Sequence, residues 1–173
     1  VFSKMKENQK DITVGVTDEN NRLQYQWKFN SDTITQPDMD IDLTISFDTD
    51  RENEVKEITG RDDLMYLSFS HHGALPGPAT IKTYVGNKYK DGDIVYLYYF
   101  NEEQNRVESV GGVNKGLVVK DGYVEYTITY CSLYFLSQDT AEIIKAVDPD
   151  TADNNGQVAD VADTAKDSAA TGD

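Results

Sequence analysis

Apolar side chains in this chain recur every second residue over most of its length, the period of a half-buried β-strand. Ile12, Val14 and Val16 alternate with polar or small residues, an Asp-Glu-Asn-Asn turn follows at 18–21, and Leu23, Tyr25, Trp27 and Phe29 alternate with Arg22, Gln24, Gln26 and Lys28. Two such runs around an Asn-rich turn predict a β-hairpin with one apolar face. Trp27 then enters the core, and its indole N–H needs a partner there.

After a connection marked by Pro37, the alternation of Ile41, Leu43, Ile45 and Phe47 predicts a third strand over 41–47. Residues 48–59 read as one short helix: Val55 and Ile58 lie three apart, acidic residues open it, and Gly60 closes it. Residues 64–69 and 79–85 read as β segments. Between them the two glycines and two prolines of 73–78 predict a rigid turn or bulge.

The most regular stretch comes last. Residues 94–100 predict a strand that is aromatic on both sides, with Tyr96, Tyr98 and Phe100 on one face and Leu97 and Tyr99 on the other. Burial of both faces is the structural explanation; an exposed aromatic row is the functional one. Residues 107–110 return against that strand, and Asp121-Gly122 predicts a tight hairpin before a strand in which Val124, Tyr126 and Ile128 share a face. Roughly eight to ten short strands and one helix predict a mainly β fold: an antiparallel two-sheet sandwich, immunoglobulin-like in the broad sense.

Composition changes the picture at the ends. Residues 1–10 are polar and read as a flexible lead, and 11–147 form the module. From 148 to 173 the apolar content falls to Ala and Val among seven aspartates, which predicts an acidic disordered tail or linker. The chain starts at Val1 without a basic and apolar leader, so it reads as a mature or excised fragment. With 31 acidic and 16 basic residues the formal net charge is -15, a field that repels phosphate backbones and anionic lipid; nucleic acid is excluded as a partner. No apolar run approaches the roughly 18 residues needed to cross a bilayer, so no membrane insertion is expected.

Candidate chemistry is sparse. His71 and His72 are adjacent, so on a strand they point to opposite faces and cannot easily share a metal. Ser70 beside His71 lacks the G-x-S-x-G context of a nucleophile elbow. The lone Cys131 forms no internal disulfide and reads as a buried thiol. Asp48, Asp50, Glu52 and Glu54 read first as an acidic helix entrance and only second as a calcium loop. Aligning Gly156 with the sixth position of an EF-hand loop leaves Thr151 and Ala162 at the first and twelfth, where ligands are required. Residues 111–116 lack the G-K-[ST] ending of a phosphate loop. No catalytic residue, metal site or cofactor is expected.

Three stretches, GALPGPA (73–79), VYLYYFNEEQNRVESV (95–110) and DGYVEYTITYCSLYFL (121–136), resemble a recurring β-rich module of large secreted or cell-wall-attached proteins of Gram-positive gut- or rumen-type bacteria. The resemblance spans about 11–137. It implies a secreted or cell-surface location and a non-catalytic accessory module, and it carries over no ligand or active-site residue. Tyr130 departs from it, standing where such modules more often have histidine.

The expectation is therefore a non-catalytic extracellular structural or binding module, monomeric, whose partner would be a cell-surface protein or a glycan. The alternatives are a carbohydrate-binding module, using Trp27, Tyr84, Tyr89, Tyr96 and Tyr98 as exposed aromatics, and an accessory domain of a secreted hydrolase.

Overall fold

The computed structural model describes residues 1–151. In chain order the elements are α1 (Phe2–Asn8), β1 (Ile12–Thr17), β2 (Leu23–Phe29), β3 (Ile45–Ser46), α2 (Glu52–Thr59), β4 (Met65–Tyr84), β5 (Ile94–Asn101), β6 (Arg106–Ser109), β7 (Leu117–Val118), β8 (Tyr123–Ser137) and α3 (Ala141–Ile144). The fold is mainly β and antiparallel. Hydrogen bonding runs continuously through β1-β2-β4-β8-β5-β6, with β3 pairing β4 and β7 pairing β5 off this path.

The long β4–β8 ribbon is the spine, and its two irregularities shape everything attached to it. From the pair Ser68–Leu133 to the pair Gly73–Cys131, and again from Ala74–Tyr130 to Ala79–Ile128, β4 advances five residues while β8 advances two. Extra residues on one strand bend and twist it. Gly73 takes φ 105°, a conformation open mainly to glycine. Pro76 and Pro78 fall where pairing with β8 is suspended, so their missing N–H groups cost no ladder bond. The Pro76 carbonyl accepts instead from the Thr35 and Gln36 amides at 2.8 and 3.1 Å. The segment expected to turn is thus a bulged continuation of one strand.

Two cores result. The first joins Trp27 and Phe29 of β2 and Ile81, Val124 and Ile128 at one end of the ribbon to Leu67, Phe69 and Leu136 at the other. Trp27 has no exposed surface; its ring stacks on Phe29 and meets Phe69 edge-on at 5.6 Å. Its Nε1 donates to the Leu43 carbonyl at 3.0 Å, which supplies the partner a buried indole requires. The second core lies on the other face of β5, where Tyr98, Phe100, Leu133 and Phe135 pack beneath Val55 of α2 and Ala141 and Ile144 of α3. Strand β5 is therefore buried on both faces.

The predicted hairpins form. β1 pairs β2 from Ile12–Phe29 onward, and β6 pairs β5. Asp121 and Gly122 both take positive φ, 54° and 88°, between the bridged residues Lys120 and Tyr123, as a two-residue hairpin turn with matching twist demands.

Elsewhere the structure corrects the expectation. Residues 2–8 are a helix rather than a flexible lead, because Phe2 and Met5 lie three apart on one face and are buried in the first core. Phe2 meets Phe29 edge-on at 4.9 Å, and Lys6 Nζ donates to the Ile34 carbonyl at 2.7 Å. Over 41–47 only Ile45–Ser46 is strand, since the Asp42 carboxylate accepts the Thr44 amide and turns the backbone, while Ile41, Leu43 and Phe47 still pack on the first core. Among the described residues three α-helices stand where one was expected. The expected tail falls outside the described residues apart from 148–151, as do positions 152–162 of the calcium-loop alignment. Among the described residues no helix is long and apolar enough to cross a membrane.

Candidate functional site

The five aromatics drawn from the sequence as a binding row are scattered. Trp27 and Tyr89 sit in the first core and Tyr98 in the second, each with at most 6% of its surface exposed. The Tyr98 hydroxyl donates to the Asp139 carbonyl at 2.7 Å and the Tyr89 hydroxyl to that of Leu136 at 3.4 Å. Burial holds both phenols above their usual ionisation range. Tyr96 is half-buried against the second core. Tyr84 is half-buried too, its ring perpendicular to that of Tyr123 at 5.3 Å, with the Arg22 guanidinium 4.6 Å from its centroid. No shared surface joins these five.

The polar candidates take local roles. His71 Nε2 lies 2.9 Å from the Ala74 carbonyl at the bend of β4, and His72 is exposed. Cys131 is buried, which pushes its thiol up to about 12 and keeps it protonated. At the entrance to α2, Arg51 pairs with both Glu54 and Glu102, and Lys56 with Glu52. Residues 111–116 turn through left-handed Gly111, Gly112 and Asn114, and the Asn114 side chain accepts the Ala141 amide at 2.8 Å, capping α3.

Among the described residues, a different group forms an arrangement with some features of a binding site. Register places Tyr134 of β8, Tyr99 of β5 and Glu108 of β6 directly opposite one another across three strands, hence on one face. Tyr130 lies at the bend of β8, with 46% of its surface exposed. Its ring meets Tyr99 edge-on, centroids 6.1 Å apart, while Tyr99 and Tyr134 lie 5.4 Å apart at 46°. The Tyr134 hydroxyl donates to the Tyr130 carbonyl and fixes the bend. The chain after α3 completes the wall: Val147 runs parallel to Glu108, its N–H donating to the Val107 carbonyl and its carbonyl accepting from the Ser109 amide, both at 2.8 Å. This brings Pro149 to the rim. Tyr99, Glu108, Ser109, Tyr130, Tyr134 and Pro149 line a shallow, mainly apolar groove of about 420 Å³, a size and character in the range of small-molecule sites.

The groove's carboxylate, Glu108, is ion-paired with Arg106. The Tyr99 phenol is pushed up to about 12, first by burial and then by the nearby Tyr130, Glu108, Glu103 and Glu102. Glu108 is 8% exposed, and its Oε2 accepts from Arg106 Nε at 2.8 Å and Asn101 Nδ2 at 2.9 Å. Ser109 is 5% exposed, and its Oγ is buried without a hydrogen-bond partner among the described residues. Ser109 pairs with Tyr98 rather than Tyr99, so its side chain lies on the face opposite Glu108, towards the second core, and it lines the groove edge through its backbone.

Sequence reasoning passed over these residues because the groove is made by register and by a bend. Period two would put Tyr130 inside with Tyr126 and Ile128; Thr129 and Tyr130 are instead exposed in succession, as the inward phase of β8 slips at the second bulge. The signals present were Tyr99, on the less aromatic side of its strand, and Tyr130, the position that departs from the resembled module.

The chain matches no protein-family model, no curated protein and no solved structure.

Proposed function

We propose that this chain is a non-catalytic structural or binding module of a secreted or surface-attached bacterial protein. The observation carrying this is how its aromatic polar tips are used. Trp27, Tyr98, Tyr89 and Tyr123 each donate to a backbone carbonyl, at Leu43, Asp139, Leu136 and Leu23 respectively, and Tyr25 accepts the Ile45 amide. These bonds tie loops and a short strand onto a doubly cored sheet, which suits a rigid display or spacer unit. The acidic surface, at a net charge of -15, favours solubility and a monomer. The two-layer, immunoglobulin-like description is part of this proposal: the first core draws on both ends of the β4–β8 ribbon, so that two layers would be joined through the ribbon itself. The surface location rests on the resemblance of 73–79, 95–110 and 121–136.

Protease treatment of intact source cells, followed by immunodetection of the chain, tests the location; release of the epitope without lysis is expected, and a fully protected epitope overturns it. The non-catalytic part is tested with panels of chromogenic glycosides, esters and peptides. Turnover no greater than that of heat-unfolded protein is expected. Turnover abolished by a single substitution in a folded variant overturns it.

A further inference from the structure

We propose that the free edge of β1 pairs with the same strand of a second copy of this chain, antiparallel and centred on Val14. This goes beyond the module reading above and rests on it for one condition, the display of many copies on a surface. A strand edge carries a row of unpaired N–H and C=O groups, and proteins ordinarily keep such an edge short, charged, broken by proline or covered. Here β3 and β7 are two residues long, and β6 is covered by Val147, which bonds to Val107 and Ser109. Strand β1 lacks every one of these protections over its straight run. Among the described residues it ends the hydrogen-bonded order, pairs with β2 alone, and reads Ile-Thr-Val-Gly-Val-Thr, without charge or proline. Ile12 and Val16 pack on the first core yet stay partly exposed, as Val14 does, so the apolar layer is open along this edge.

The strand is complementary to itself in register and in charge. Its pairing with β2 is regular from Ile12 to Val16 and shifts between Val16 and Thr17, which makes Val14 the centre of the straight run. A two-fold axis through Val14, perpendicular to the sheet, sets Ile12 opposite Val16 and Thr13 opposite Gly15, every pair with its side chains on one face. A shift of one residue would set core-facing positions against solvent-facing ones. Lys10 and Asp18 lie equally far from Val14, so the same axis brings Lys10 of each copy to Asp18 of the other, at both ends of an uncharged strand. Asp18 Oδ1 is taken by the Asn20 and Arg22 amides at 2.9 Å; among the described residues, Oδ2 and the Lys10 ammonium have no partner. Sliding by two residues loses both charge pairs and shortens the paired run. The net charge of -15 repels one copy from another, and one short strand covers less than the roughly 1,000 Å² of a lasting interface. Dilute chain is therefore monomeric, and the edge closes where tethering holds copies at about millimolar local concentration.

The test is NMR on the whole chain at about 1 mM and after about twentyfold dilution. Amide shifts that change with concentration are expected over 10–18 and nowhere else. In a mixture of labelled and unlabelled chain, intermolecular contacts are expected between the Val14 methyls of the two copies and between Ile12 and Val16. Val14→Lys plants a charge on the core-facing side of the edge and is expected to abolish both signals. Lys10→Glu, at an exposed position outside the strand, should fold as the parent does and weaken the pairing about tenfold. No concentration dependence at all overturns the pairing and leaves the module reading to its own tests. Dependence confined to another surface, or surviving Val14→Lys in a chain whose melting is unchanged, overturns the choice of edge. Contacts of Val14 with Val16 across copies overturn the register, and pairing unaltered by Lys10→Glu overturns the charge match. Pairing by a chain that protease cannot reach on intact cells overturns the display reading alone.

Discussion

Two tyrosine clusters reach the surface of this sheet, and the chain treats them in opposite ways. At the hairpin end of the β4–β8 ribbon, Tyr84 and Tyr123 are closed by their own surroundings. Arg22 and Lys82 lie over their rings, the Tyr123 hydroxyl donates to the Leu23 carbonyl, and Gly86 and Gly122 press against Tyr84. Past the bend, Tyr99, Tyr130 and Tyr134 border an open groove whose wall carboxylate, Glu108, is paired with Arg106. The residue type is the same in both places. What differs is whether the chain lays its own cations over the aromatic faces, as Arg22 and Lys82 do at the hairpin end.

The largest effect that bears on this contrast is alkaline. Burial pushes the phenols of Tyr66 and Tyr99 up to about 12 from an ordinary 10.0, and holds Tyr89, Tyr98, Tyr126 and Tyr134 higher still. A raised pKa means the fold favours the neutral hydroxyl, so the contribution is fully present below pH 10 and is lost as the pH climbs from about 10 towards 12. Because six side chains share that direction, unfolding should be cooperative, with tyrosinate absorbance rising together with the loss of β-sheet circular dichroism. Tyrosines ionising in full ahead of any loss of structure would contradict the burial on which both cores depend.

Two glycines sharpen the comparison directly. Gly122 and Gly111 have similar left-handed φ, 88° and 79°, so alanine meets the same backbone strain at either. A Cβ at Gly122 would sit 2.9 Å from a Tyr84 ring carbon, whereas at Gly111, on the groove wall, it would meet nothing within 4 Å. Gly122→Ala should therefore destabilise by about 1–3 kcal/mol more than Gly111→Ala in denaturant titrations. Equal losses would mean the hairpin cluster is no more closed than the groove.

The contrast also marks how far the sequence could be read. The hairpin at Asp121-Gly122, the inward face of Val124, Tyr126 and Ile128, and the doubly buried β5 were legible, because each follows from period two or from turn chemistry within about ten residues. Residues 2–8 were misread because two apolar positions in a polar helix give little signal until Phe29 is known to lie beneath them. The groove was illegible for a stronger reason. Tyr99, Glu108 and Tyr134 meet only through the registers of β5 with β6 and β8, and Tyr130 faces outward only because β4 carries extra residues opposite it. No local pattern encodes either.

A smaller effect isolates the bend. Tyr134→Phe removes the hydroxyl that holds the Tyr130 carbonyl and should cost about 1 kcal/mol, while making the resonances of Tyr130 more sensitive to temperature. An unchanged Tyr130 would show that the bulge alone fixes its position.

The smallest effect decides whether the hairpin cluster is closed by its cations or merely neighboured by them. Arg22 is exposed, and an exposed guanidinium over an aromatic ring contributes about 0.5–1 kcal/mol. Arg22→Gln alone is ambiguous in a chain of net charge -15, since removing any cation increases its self-repulsion. The loss seen with Lys10→Gln, also exposed and at the far end of the β1–β2 hairpin, measures that background. A double-mutant cycle with Tyr84→Leu removes it altogether, leaving the coupling between guanidinium and ring. Coupling of about 0.5–1 kcal/mol that survives added salt better than the background is the expected result, because a cation held against a ring is screened less than one held by distant carboxylates. Coupling near zero would make the Arg22 contact incidental, and the two clusters would then differ in packing but not in the chemistry that fills them.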